Sequence, residues 1–424
     1  MEKYNMILKS IDKDSYGVYF YDDEEKKAVN RVITNQSPFR YYGKSMINES
    51  EKLEKNCTEY FERSYAHTLN SGTSALITAL HALDVGIQDE VIIPGYFFSA
   101  VYSAILLRGA IPVLAEIDDS LSIDIKDVKR KITPKTKCVI AIHMDGNPCA
   151  IEQLSLLCQR KKIYLIEDFS QCIGGNVNNK KIGSFGDVSI ASFQLNKMIS
   201  SGEGGLLLTD KVDFYKKAVA RSDIGLSREN RNIIESEDQF LTYGEGRRFN
   251  EISAAIMNVQ LRKIDSIKNN MIKRKTIIID ELGDISPITY KKVNYDYGDI
   301  ATTITFLFKN CIEAEKFWKA YKVICPDEEL RLFKHCDWGY HVYYNCLSLV
   351  NKIEVLPGGF PWNLVNKDAY NYSKGSLPIT DDILKRAIGL KLPGNLNDYH
   401  LRAIIQTLKL IFKTYFKESS DYNY

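Results

Sequence analysis

The sequence predicts an α/β protein: a large unit built on a mostly parallel, seven-stranded sheet covered by helices, followed by a smaller α+β unit. Two patterns carry this prediction. Between residues 65 and 209, seven short apolar runs follow one another, most of them separated by segments of helical periodicity. Strands of a parallel sheet buried on both faces have this near-continuous apolar character. Near residue 280 the alternation stops, and a half-buried strand and amphipathic helices take over. The 424 residues, 45% apolar and 26% charged, are enough for a large core. The expected division is an N-terminal arm and helix over 1–60, a large domain over 61–275 and a small domain over 276–424.

In order, the mixed polar N-terminal stretch contains one helical segment, Glu24–Ile33, and an aromatic loop, Gln36–Gly43. The loop runs into Lys44-Ser45, but Pro38 stands where a P-loop needs glycine and no apolar strand precedes it, so a nucleotide-triphosphate site is rejected. The strands are Tyr65–Leu69, Glu90–Ile93, Ile111–Ala115, Cys138–His143, Ile163–Glu167, Val188–Phe193 and Leu206–Thr209. Helices are expected at Thr73–Leu83, Ser99–Leu107, Asp124–Lys131, Ile151–Gln159 and Phe214–Arg221. Arg228–Gln239 is polar and expected to be a mobile loop. A long helix runs from Asn250, a suitable N-cap, to about Lys275. The small domain offers a strand at Ala301–Phe308, a helix at Ile312–Tyr321, the aromatic run Trp338–Asn345 and a last amphipathic helix near Asn397–Phe416.

Composition excludes several classes. A formal charge of +2 with no like-charge block gives no electrostatic case for nucleic acid or a membrane surface. Nine scattered cysteines without a CxxC pair argue against a disulfide framework and a zinc ribbon, and favour a reducing, cytoplasmic compartment. No metal ligand set is expected, and the N-terminus lacks the pattern of a signal peptide. The uncharged stretch Val91–Leu107 approaches membrane-spanning length. Pro94-Gly95 interrupts it, so a strand, a turn and a buried helix account for it better.

Three stretches could carry chemistry, and each lies at the carboxyl end of a strand, where ligands of parallel sheets bind. Asn70-Ser71-Gly72-Thr73-Ser74-Ala75 joins a strand to a helix, and its free N–H groups and hydroxyls suit a phosphate. On its own it reads equally well as an ordinary N-cap turn. Glu167-Asp168 ends a buried strand; one acid should face the ligand edge and the other away. Lys197 stands between an apolar strand and Gly202-Glu203-Gly204-Gly205, an odd place for a merely solvated charge. A Schiff-base lysine, a carboxylate for a pyridinium nitrogen and a phosphate cradle are together the parts that a pyridoxal phosphate enzyme needs.

These residues resemble the DegT/DnrJ/EryC1/StrS family, sugar aminotransferases of fold type I. The likeness runs from about Asn70 to Leu261 and more loosely to the C-terminus. The family's SGTxAL is similar to Ser71–Leu76, its GDEVIVP to Gln88–Pro94 and its EDxxQ to Glu167–Gln171, while SFxxxKxxxxGEGG is matched from Ser192 to Gly205. The resemblance implies that Lys197 forms the Schiff base and moves protons, and that Asp168 pairs with the pyridine nitrogen. It implies further that Gln171 bonds the ring's 3-oxygen, and that Ser71, Gly72, Thr73, Ser74 and Ser192 surround the phosphate. Phe98 would stack on the ring, with Tyr96 and Phe97 offering two more aromatics beside it. Where the family has Asn-Tyr-Arg, this chain has Gly246-Arg247-Arg248. Arg248, at the family's arginine, is taken as cofactor-binding, and Arg247 or Asn250 as candidate replacements for the asparagine that reaches a neighbouring subunit's phosphate. The family's histidine motif of the small domain is altered, leaving His341 as the nearest substrate candidate.

The implied activity is transamination from glutamate or glutamine to a keto sugar, either nucleotide-linked or of the keto-octulosonate type, in a homodimer with sites at the interface. The competing readings are a pyridoxamine-dependent sugar dehydratase of the same fold, in which histidine replaces the lysine, and a non-catalytic regulatory protein that binds pyridoxal phosphate.

Overall fold

The computed structural model describes residues 2–11, 16–226, 228–229, 232–233 and 240–420. Its main sheet has seven strands: β1 (Tyr65–Leu69), β2 (Glu90–Pro94), β3 (Ile111–Ala115), β4 (Thr136–Ile142), β5 (Tyr164–Asp168), β6 (Val188–Ser192) and β7 (Gly205–Thr209). Their order is β1-β7-β6-β5-β4-β2-β3. The pairs β2/β3, β2/β4, β4/β5 and β5/β6 are parallel, whereas β7 runs antiparallel to both β1 and β6. The reason is the connection. The chain from Ser192 to Gly205 contains no helix, so it turns back as a hairpin instead of crossing over. Lys197 sits in that hairpin.

Alternation along each strand feeds two cores. Val188, Ile190, Leu207 and Ile166 pack on one face, with the Gly72–Ala82 and Ala100–Leu107 helices. Ala191, Leu206, Leu208 and Leu165 pack on the other, with the Glu49–Phe61, Ile151–Lys161 and Glu251–Leu282 helices. The uncharged stretch that approached membrane length is β2 followed by the Ala100–Leu107 helix, and no helix among the described residues is long and apolar enough to cross a membrane.

A second sheet has Thr303–Leu307 and Ala387–Lys391 at its centre, with Thr289–Tyr290 and Leu332–Lys334 outside, all antiparallel. Its core is aromatic: Phe317 meets Phe412 with ring centroids 5.0 Å apart, and Phe306 meets Phe412 at 5.4 Å. Phe306 comes from the Thr303–Leu307 strand, and Phe317 and Phe412 from the Cys311–Ile324 and Asp398–Ser420 helices; Leu8 of the Glu2–Lys9 helix joins the same core.

The long helix starts where the sequence puts it, with Asn250 Oδ1 accepting from Ser253 N–H at 2.9 Å. It continues past Lys275 to Leu282 because Ile278 is buried in the core of the second sheet, and it stops at Gly283, whose φ is 63°. Of the expected mobile loop, Arg228–Glu229 pairs antiparallel with Asn232–Ile233, which corrects that part; residues 230–231 and 234–239 lie outside the described residues. The Glu49–Phe61 helix was not foreseen.

Candidate active site

The carboxyl ends of β1, β4, β5 and β6 open into a cavity of about 600 Å³, closed on the far side by Thr302, Thr303, Trp338, His341 and Lys391. Ser71, Gly72, Thr73, Phe98, Asp168, Gln171, Ser192, Lys197 and His341 all line it.

The β1 turn shows how the sequence makes an anion cradle. Ser71 caps the Gly72–Ala82 helix, its Oγ accepting from Ser74 N–H at 3.0 Å. Gly72 and Thr73, the first two residues of the helix, line the cavity, and amides in a helix's first turn favour an anion. Two glycines permit this packing. A Cβ on Gly72 would lie 2.7 Å from Ser192 Cβ, and one on Gly205 would lie 2.2 Å from the Ser71 carbonyl oxygen. The glycine-rich end of the Lys197 hairpin thus seats the β1 turn against β6.

Ser74 does not line the cavity. It is the third residue of the helix, its N–H is spent on the cap, and its Oγ donates to Asn70 Oδ1 at 2.6 Å. Arg248 does not line it either. Its Nη1 donates to the buried Asp223 at 2.7 Å, and its guanidinium lies 5.4 Å from the centre of the Phe39 ring. Neither contact is one the sequence could reveal, since both depend on which way a side chain leaves its element.

The two acids at the end of β5 point apart, as their alternation requires. Glu167 turns inward and accepts from the amides of Gly183, Phe185 and Gly186 and from Ser189 Oγ, at 2.7–3.0 Å. Asp168 turns to the cavity, and its Oδ1 accepts from Ser170 N–H at 3.0 Å. Burial pushes the Asp168 carboxyl up, opposed by Ser170, Lys197 and His143. His143 bridges strand ends: its Nδ1 accepts from the Cys149 amide at 3.0 Å, so the proton sits on Nε2, 3.2 Å from Glu167 Oε1. Gln171 Oε1 accepts from the Asp145 amide at 3.0 Å, which leaves its amide nitrogen to donate elsewhere.

Lys197 is half-buried, and the loss of solvent lowers its pKa from the ordinary 10.5. Asp168 opposes that shift and the neighbouring cation Lys391 adds to it. An amine lowered in this way is more often neutral, the state a nucleophile or base needs. Of the three aromatics after β2, Tyr96 and Phe97 are fully buried, so Phe98, 49% exposed, is the one that faces the cavity. His341 lies 5.4 Å from it and stacks on Trp338 at 4.2 Å and 16°. Burial lowers the His341 pKa to about 4, so the ring is neutral near pH 7. The sequence did not single out Asp145, Trp338 or Lys391. An Asp-Gly turn directly after a buried strand was the available signal for the first.

The mainly parallel sheet, with the hairpin lysine and the helix N-terminus at one edge, defines a fold type I pyridoxal phosphate-dependent aminotransferase. The chain belongs to the DegT/DnrJ/EryC1/StrS aminotransferase family, whose model matches residues 21–324. It is similar to a GDP-perosamine synthase of Vibrio cholerae, 33% identical over 330 residues that cover 74% of this chain and 85% of the relative. An aminotransferase structure from Psychrobacter cryohalolentis superposes with a TM-score of 0.77 at 20% identity, covering 93% of this chain and 98% of that one. A GDP-4-keto-6-deoxy-D-mannose-3-dehydratase of Escherichia coli, solved with bound hydrated PLP, superposes at 0.75 and 20% identity, covering 93% and 99%. At these identities the two structures speak for the fold.

Proposed function

We propose that this chain transfers an amino group from glutamate or glutamine to a nucleotide-linked keto sugar, using pyridoxal phosphate held in the cavity. The observation that carries the proposal is the convergence of Lys197, Asp168 and the Gly72–Thr73 amides on one cavity. The residues fit the cofactor. The glycine cradle leaves two amides at a helix N-terminus for a phosphate, and Phe98 offers a flat face. The buried Asp168 would hold a proton on a pyridine nitrogen, and Gln171 has an amide nitrogen to give to a ring oxygen. When bound, pyridoxal phosphate supplies an electron sink for the donor's α-carbon.

Lys197 Nζ, kept toward the neutral form by burial, takes the proton from the donor's α-carbon in the first half-reaction and works in reverse on the acceptor in the second. Asp168, facing the cavity, would hold a proton on the cofactor's pyridine nitrogen, which would favour the ring's pull on electrons. Trp338 and His341, stacked on one another, wall the cavity with a flat aromatic surface. The dehydratase reading has a solved neighbour of the same fold, but an amine at position 197 favours transfer. We place the protein in the cytoplasm, in keeping with nine free cysteines, eight of them buried or half-buried.

The test is spectroscopic. Enzyme loaded with pyridoxal phosphate should lose its visible absorbance on adding L-glutamate and regain it on adding a nucleotide-linked 3- or 4-keto sugar. Absorbance that glutamate and glutamine both leave unchanged would sink the proposal.

A further inference from the structure

Asp145 lies just beyond β4, in the Met144–Gly146 turn, with its backbone in the left-handed region at φ 54° and ψ 35°. Aspartate and asparagine tolerate that region better than other residues with a side chain. The turn is fastened on three sides. The Asp145 amide donates to Gln171, its carbonyl accepts from the buried Lys291 Nζ at 3.1 Å, and a Cβ on Gly146 would lie 2.5 Å from Thr302 Oγ1. The side chain is 2% exposed yet borders the cavity. Neither carboxylate oxygen has a hydrogen-bond partner among the described residues. The nearest basic atom, His335 Nδ1, is 3.8 Å away and is already engaged with Tyr96 Oη at 2.9 Å. Buried polar atoms are rarely left in this state, because an unmet acceptor pays the full cost of leaving water.

Two oxygens with free lone pairs call for hydrogen-bond donors, and the neighbouring wall indicates which kind. Trp338 and His341 stack into one flat aromatic surface beside Asp145, with Lys391 Nζ 4.2 Å above the Trp338 ring. A pyranose ring has an apolar C–H face that suits such a surface and edge hydroxyls that donate to a carboxylate. Glutamate brings carboxylates, which offer Asp145 further acceptors where its oxygens call for donors. Both substrates must use one cavity in turn, and Asp145 can tell them apart. We infer that Asp145 anchors the acceptor, accepting hydrogen bonds from two hydroxyls of the keto-sugar ring, and takes no part in holding the amino donor. The inference rests on the transaminase reading above.

Asp145→Asn keeps the left-handed turn while removing the charge and one acceptor oxygen. Single-turnover absorbance would be followed for L-glutamate with the loaded enzyme. It would then be followed for GDP-, UDP- and dTDP-linked 4-keto-6-deoxy sugars with the aminated enzyme. The expected result is a fall of about 30-fold or more in the rate constant for the best probe sugar, with the glutamate step within about threefold of wild type. The Tm of the loaded enzyme without substrate should rise by about 2 °C, because a buried acceptor oxygen without a hydrogen-bond partner has gone. Equal falls in both half-reactions, an unchanged sugar step or a lowered Tm would each overturn the inference. A wild-type enzyme that exchanges with glutamate but with none of the probe sugars overturns it as well. A wild-type enzyme inert to glutamate sinks the transaminase reading instead. In that case the sign of the Tm change alone decides: a rise keeps Asp145 as a binding group, and a fall makes it structural.

Discussion

At the scale of single residues, the site is a matter of which charges are buried and which are answered. Glu167 and Asp168 are adjacent in sequence and opposite in fate. Glu167 is satisfied by three amides and a hydroxyl, whereas Asp168 faces the cavity with Lys197 across from it. In the proposed reaction, Lys197 is the residue on which the chemistry would depend. Lys197→Ala should leave the fold intact, abolish turnover with every donor and remove the visible absorbance gained when pyridoxal phosphate is added; a variant that keeps wild-type turnover would contradict that role. The motif stretches that place Lys197, Asp168, Gln171 and the β1 turn were legible in the sequence because strand ends fix where they fall. Asp145 was not, since its interest lies in being buried without a partner, a property of the packed interior and not of the sequence around it.

At the scale of elements, the N-terminal segment is fastened by a knot of charge. Arg40, from the aromatic loop, makes two bonds to Glu54 of the Glu49–Phe61 helix at 2.8 and 2.9 Å, and Glu54 Oε1 also accepts from Thr68 N–H of β1 at 2.7 Å. Burial alone would raise the Glu54 pKa, but Arg40, His67 and the Thr68 amide outweigh it and hold it down at about 2. A carboxyl lowered by folding from 4.5 adds stability that is complete above the unfolded value and is lost as pH falls toward 2. Glu54→Gln should therefore cost about 3–5 kcal/mol at pH 7, leaving Arg40 buried without its partner, and flatten the loss of stability between pH 5 and 2. Urea unfolding across that range would show it. An unchanged acid profile would mean that the knot contributes little. The strands β1 and β3 have the bounds the sequence predicts, because apolar runs between turn residues delimit them. The Glu49–Phe61 helix was hidden for a physical reason. Its apolar stripe is only Leu53, Cys57 and Phe61, and its N-terminus is capped from a distance, by the Glu251 carboxylate accepting from the Glu49 and Ser50 amides. The antiparallel β7 was likewise invisible to composition, and followed from a connection too short to cross over.

At the scale of the whole molecule, the cavity joins two sheets. The main sheet contributes the lysine, the acid and the cradle, and the second contributes Thr303 and Lys391 from its central strands. Family resemblance implies a homodimer; Arg248 points away from this cavity and is held by the buried Asp223. Sedimentation should give twice the chain's 48.4 kDa; a monomer with full activity would exclude a shared site. The central claim is that one cavity carries an amino group from an amino acid to a keto sugar. Its most direct test is to supply L-glutamate with an isotope-labelled amino nitrogen together with a nucleotide-linked keto sugar, and to locate the label by mass spectrometry. The account predicts that the label appears on the sugar, carbon-bound, in step with formation of the keto acid. Label found only in free ammonia, or sugar converted without gaining nitrogen, would contradict it.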